Sequence, residues 1–222
     1  MKKKFKLITT SAVALLQLTF VGQSYAFSST FTDIDNVVAK DKIIDLEKNG
    51  IVGGVDSEHF VPYESLTGAQ EVQLIIKALG LNLDSVRFIK APKATDYFKN
   101  ADDEAWYSNS LIIAAVNGLE FPSDFDPNKK ITREEFTYNL IRAMEVKKEM
   151  PMINMMYIKV KDEDQLKAEY SGAIQRAIKY GVIKLDAEGK FNPKGEITRA
   201  DAAEEIYNAI EFLEKYNGSH TR

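Results

Sequence analysis

Two segments of this 222-residue sequence, ITREE at 131–135 and ITRAD at 197–201, place an arginine where a helix would ordinarily begin with an acid. A guanidinium in the first helical turn faces the positive end of the helix dipole, which costs up to about 1 kcal/mol where a carboxylate would gain it. Arg133 and Arg199 are therefore cations whose position local helix chemistry does not explain. Trp106, the single tryptophan, is a further candidate: an aromatic face can stack on a sugar ring, or it can serve packing.

For covalent chemistry the sequence offers little. His59 and His220 are the only histidines, cysteine is absent, and there is neither a Gly-x-Ser-x-Gly elbow nor a phosphate-cradling glycine loop. The 33 acids provide many pairs for glycoside hydrolysis and nothing that selects one. No enzyme and no cofactor are expected. The acids of NADDEA and PSDFDP lack the oxygen spacing and obligatory glycine of an EF-hand loop, so they read as solvated loops. Met150, Met152, Met155 and Met156 form a thioether cluster of the kind that holds Cu(I), but a gap-filling linker at 147–158, strapped across the core, is the expected use.

The elements that position these residues come from a repeat. Aligned on Pro62, Pro127 and Pro193, the stretches HFVPYESLTGAQE, DFDPNKKITREE and KFNPKGEITRAD share Phe-x-Pro, three residues, an aliphatic and Thr, at a period of 65 and 66 residues. Upstream of each proline lies a helical pattern whose apolar residues, Ile43 and Leu46, Leu111 and Ala114, Ile174 and Ala177, fall three apart on one face. Gly50, Gly118 and Gly181 end these helices where a left-handed cap is wanted. Thr67, Thr132 and Thr198 are N-caps for a second helix, with Gln70 and Glu135 completing capping boxes and Asp201 a shortened version. Three units of about 50 residues each bury too little surface to stand alone, so a shared core is expected.

The N-terminus reads separately. MKKKFK is a basic leader, LITTSAVALLQLTFV an apolar core and SYA a small-residue cleavage site, giving a secretory signal peptide at 1–26. Its removal leaves 222 − 26 = 196 residues and discards four lysines, so the formal charge goes from −4 to −8. An acidic surface argues against nucleic acid as a partner. Export without cysteine points by composition to a Gram-positive secreted protein.

FTDIDNVVAKDKIIDLEKNGIVGG and FVPYESLTGAQE, AWYSNSLIIAAVNGL and FDPNKKITREE, EYSGAIQRAIKYGVI and FNPKGEITRAD together resemble a triplet of S-layer homology (SLH) domains. The resemblance implies a mainly α fold: three helix-loop-helix repeats at 31–83, 95–146 and 159–213, in a pseudo-threefold assembly with a central helical bundle and three prongs. It implies binding of secondary cell-wall polysaccharide, with a pyruvate ketal on its terminal sugar, in grooves between repeats. The polysaccharide-binding residues carried over are Arg133, Arg199, Trp106, Asp33 and Gly54. On this reading the helix-start arginine, beside free N–H groups and the positive dipole end, forms an anion site. Arg→Ala at either position is then expected to weaken binding with little change in stability.

No repeat matches throughout. Gly68 stands in repeat one where Arg133 and Arg199 stand, Val38 and Glu169 replace Trp106, and the opening Phe-x-Asp is clean only at Phe31 and Asp33. After Phe212 only LEKYNGSHTR follows, with no sorting signal, so no cargo domain is expected in this sequence. Two functions follow: non-covalent cell-wall anchoring, or a degenerate triplet acting as a surface scaffold that binds another protein. Both place the protein outside the cell, at the wall or surface.

Overall fold

The computed structural model describes residues 31–148, 150 and 156–220. The signal peptide expected at 1–26 lies outside them, as do residues 149 and 151–155 of the expected Met-rich linker.

The chain is mainly helical, with six α-helices among the described residues: α1 Lys40–Lys48, α2 Gly68–Leu79, α3 Ser108–Val116, α4 Arg133–Lys148, α5 Ser171–Tyr180 and α6 Arg199–His220. Two 3₁₀ turns, Ala94–Asp96 and Glu163–Gln165, precede α3 and α5. The local signals act as read. Gly50, Gly118 and Gly181 take φ of +70°, +76° and +74° at the ends of α1, α3 and α5. Gln70 N–H donates to Thr67 Oγ1 while Thr67 N–H donates to Gln70 Oε1, and Thr132 and Glu135 repeat that reciprocal pair. Thr198 accepts from Asp201 N–H alone, since the shorter Asp is not seen to return the bond.

The repeats are interleaved rather than stacked. α3 packs on α2 and α5 on α4, each first helix lying on the second helix of the preceding repeat, and α1 returns to pack on α6. The second helices α2, α4 and α6 contact one another pairwise. Just before them the backbone closes a ring: Leu66 N–H donates to the Ile197 carbonyl (3.0 Å), Ile197 N–H to Ile131 (3.1 Å) and Ile131 N–H to Leu66 (3.2 Å). These three aliphatics, one per repeat, are buried. A ring that needs one strand segment from each repeat cannot form in any of them alone, which ties the repeats into one core. The linker joins that core at its end, where Gln175 bonds both the N–H and the carbonyl of Ile158. Met150 packs against the core, whereas Met156 is exposed.

The ring also settles what the helix starts do. Gly68 and Ala69 N–H donate to the carbonyls of Lys129 and Pro127, Arg133 and Glu134 to Gly195 and Pro193, Arg199 and Ala200 to Glu64 and Pro62. The expectation of free N–H groups beside the arginines is thus corrected: the neighbouring repeat's proline loop occupies them. Main-chain carbonyls of the proline loops satisfy these donors without desolvating an anion.

Two of the three proline loops, those of Pro62 and Pro193, are held by a carboxylate. Asp33 accepts the N–H groups of Phe60 (2.9 Å) and Val61 (2.7 Å), and Asp162 accepts those of Phe191 and Asn192 (2.9 and 2.8 Å). Val61 and Asn192 sit at φ +55° and +59°. Asn tolerates that left-handed geometry, but a β-branched residue does so at a cost of about 1–2 kcal/mol. Val61→Asn is therefore expected to raise stability by about 1 kcal/mol in thermal unfolding. A destabilised variant would mean that Val61 packing outweighs the backbone strain.

Candidate functional site

The residue one past the helix-capping Thr lies against the Phe-x-Pro phenylalanine of the next repeat. Arg199 covers the Phe60 ring at 4.6 Å and Arg133 the Phe191 ring at 5.2 Å. At Gly68 a Cβ would come within 2.7 Å of the Phe125 ring, so the second loop is packed too close for any side chain there. Three related positions thus have three different environments.

Around Arg199 the environment is an open cleft of about 250 Å³. Asp33 fixes the Phe60 loop, and Phe60 presents its carbonyl to Arg199 Nε at 2.7 Å, while Arg199 Nη2 donates to the Gly53 carbonyl at 2.8 Å. Carbonyls orient the guanidinium without neutralising it, and no acid among the described residues forms an ion pair with it. Desolvation lowers its proton affinity, opposed by the fields of Glu64 and Asp33. Gly54 lines the same cleft as a backbone element: a Cβ there would meet the Asp56 and His59 carbonyls at 2.4 and 2.5 Å. Trp106, from the turn before α3, forms part of the wall with 60% of its surface exposed, its ring held edge-on by Tyr107. Lys77, Gln70 and Gln73 of α2 also line the cleft, and no carboxylate does. This geometry suits an anion carried on a ring that stacks on an aromatic face.

Four of the five expected residues are therefore assembled here, Arg199, Trp106 and Gly54 in the cleft and Asp33 beneath it. Although burial opposes it, the N–H donors of Phe60 and Val61 hold the Asp33 carboxyl below the usual range, consistent with a loop anchor.

Arg133 stands elsewhere. Its Nε donates to Glu205 Oε1 at 3.2 Å, and Glu205, 2% exposed, also accepts the Thr137 hydroxyl at 2.8 Å. Burial pushes the Glu205 carboxyl up to about 7, against the pull of Arg133 and Thr137. This cation is already bonded to a carboxyl group of α6. Val38, matching Trp106 in the alignment, is 98% exposed.

The third environment, beside the second loop, is acidic. A cleft of about 320 Å³ is lined by Glu71, Glu120, Asp124, Asp126, Glu135 and Glu169 with one lysine, Lys129. Lys129 is bonded to Glu135 at 3.0 Å. Phe121, Tyr138 and Tyr170 add aromatic surface, with Tyr138 and Tyr170 stacked at 4.4 Å.

Sequence reading missed Asp162, Glu205 and the α2 polar residues. Asp162 was findable, since Val160-Lys161-Asp162 aligns with Phe31-Thr32-Asp33: the Phe-x-Asp pair is clean only at Phe31 and Asp33, yet Val fills the aromatic's buried position in repeat three while the Asp keeps its bonds. Glu205 carried no signal beyond being one acid among many on α6.

A fold of interleaved helix-loop-helix repeats with these loop signatures defines a class, and comparison names it. The S-layer homology domain profile matches residues 30–70 and 161–203, and the chain carries S-layer homology domains. It is 30% identical to the exoglucanase XynX of Acetivibrio thermocellus over 83% of this chain and 16% of that protein. It is 28% identical to an amylopullulanase of Thermoanaerobacterium thermosulfurigenes (85% and 10%), and 26% to the surface-layer 125 kDa protein of Lysinibacillus sphaericus (79% and 14%). The chain thus spans less than a fifth of the length of these relatives. The domain places the protein at the cell surface or wall, with cell-wall anchoring as its general role. No helix of the described residues is long and apolar enough to cross a membrane.

Proposed function

We propose that the protein anchors non-covalently to the cell wall through the Arg199 cleft, which takes the anionic, pyruvylated end of a secondary cell-wall polysaccharide. The observation that carries this reading is a cleft lined by Arg199 and Lys77, free of carboxylates and walled by an exposed tryptophan. Arg199 pairs with the ligand's carboxylate, Trp106 stacks on its sugar, and Gly54 and Asp33 keep the loop in the shape that admits both. The role is non-catalytic, and one groove carries it. The other two environments, with Arg133 held by Glu205 and the second cleft acidic, suit the scaffold alternative better than an anionic sugar.

Sedimentation with purified walls tests the proposal. The mature protein should pellet with walls and stay in solution once acid extraction has removed the polysaccharide. Trp106→Ala should weaken pelleting roughly fivefold, equivalent to about 1 kcal/mol of stacking, with the fold unchanged because the ring is largely exposed. Equal pelleting with extracted walls would assign anchoring to another wall component.

A further inference from the structure

The connection from α2 to the turn before α3 contains DSVRFIKA at 84–91, and all eight residues are exposed. Ile89 is fully exposed, and Val86 and Phe88 present apolar surface beside it. Consecutive apolar side chains in water are a marked cost in a surface loop unless something covers them. Among the described residues Arg87 and Lys90 form no ion pair, although the mature chain is acidic overall. The loop is thus apolar, cationic and uncovered.

The cleft beside the second proline loop has the complementary character. It offers Phe121 and Tyr138 as apolar wall, and on its rim Asp124 and Glu169 are exposed carboxylates with no cation within ion-pair distance among the described residues. Its volume falls in the range of pockets that take small ligands or single side chains, about 300–1,000 Å³. Two unpaired cations flank the exposed apolar residues of the loop, and two unpaired anions flank the aromatic wall of the cleft.

We propose that this loop docks into the acidic cleft of a second copy of the chain, its apolar side chains against the aromatic wall and Arg87 and Lys90 against Asp124 and Glu169. Opposite charges set which surfaces meet, and burial of the loop's apolar residues supplies the attraction. Because loop and cleft are different patches, the contact is heterologous and leaves a free loop and a free cleft at the ends of each assembly. It uses none of the residues of the Arg199 cleft, so self-association and wall binding are separable.

Sedimentation velocity of the mature chain tests this at concentrations up to about 1 mM, the affinity range of a contact this small. The weight-average mass should rise above that of one chain. The double substitution R87E/K90E should weaken association at least about tenfold, and so should D124K/E169K, with helical dichroism unchanged. Mixing the two variants should restore association between them, since the reversed loop now meets a reversed cleft. A single-chain mass at every concentration overturns the proposal, as does association that survives both double substitutions. It also falls if the chain stays single while R87E/K90E abolishes binding to vesicles containing anionic lipid, which would give the loop to a membrane surface instead.

Discussion

Arg199→Ala should weaken wall binding roughly ten- to a hundredfold, because a charge-assisted hydrogen bond to a ligand carboxylate is worth about 1.5–3 kcal/mol. Arg133→Ala should leave wall binding intact and instead destabilise the protein. The difference lies in what each guanidinium already touches. Arg199 is bonded to the neutral carbonyls of Phe60 and Gly53 beside an open cleft, so its loss strands no charge and costs the fold about 1 kcal/mol. Arg133 is the charged partner of the buried Glu205, and removing it strands that carboxylate; because the carboxyl can take a proton near pH 7, the cost is about 1–2 kcal/mol at pH 8. Glu205 can escape that cost by taking a proton, so the Arg133→Ala deficit should be larger at pH 8 than at pH 5. Wall sedimentation and denaturant unfolding of both variants read the two effects. Equal loss of wall binding in both would return Arg133 to the binding site and refute the single-groove reading. Stability falling with Arg199 rather than Arg133 would reverse the assignment altogether.

Glu71→Gln should leave stability unchanged near pH 4.5 and raise it at pH 9 by several kcal/mol. Glu71 is 1% exposed in α2, and burial pushes its carboxyl up to about 8, further raised by Glu135 and opposed by the Asn139 amide at 2.9 Å and by Lys129. In the unfolded chain the same group titrates near 4.5. Between those values the folded protein keeps a proton that the unfolded chain has released, so stability falls as pH rises. The contribution is complete below the unfolded value and gone above the folded one; at about 1.4 kcal/mol per pH unit it is on the order of 5 kcal/mol. Glutamine keeps the acceptor for Asn139 and has no proton to lose. Glu205 acts in the same direction up to about pH 7, whereas Asp33, held low by its backbone donors after the opposing effect of burial, adds stability that is lost only in acid. The wild type should therefore be most stable in weak acid. Denaturant midpoints at pH 5, 7 and 9 give the comparison, and parallel pH curves for wild type and Glu71→Gln would show that Glu71 is charged throughout.

The sequence by itself determined the units and their local geometry. The 65- and 66-residue spacing of Pro62, Pro127 and Pro193, the left-handed glycines at 50, 118 and 181, and the caps at Thr67, Thr132 and Thr198 all act within a few residues of themselves, so their consequences are legible from neighbours along the chain. The same locality made the arginines at the helix starts conspicuous. Tertiary structure alone decided what those arginines face. Whether position 133 or 199 meets a carbonyl, a buried carboxylate or open water depends on residues 72 and 139 positions away, Glu205 and Phe60, brought together by a ring that joins all three repeats. Two arginines in equivalent sequence contexts thus receive different partners, one a carboxyl group and one a pair of carbonyls. The free energy of a charge is set by the dielectric and the partner charges around it in space, and neither is encoded in the residues beside it in sequence.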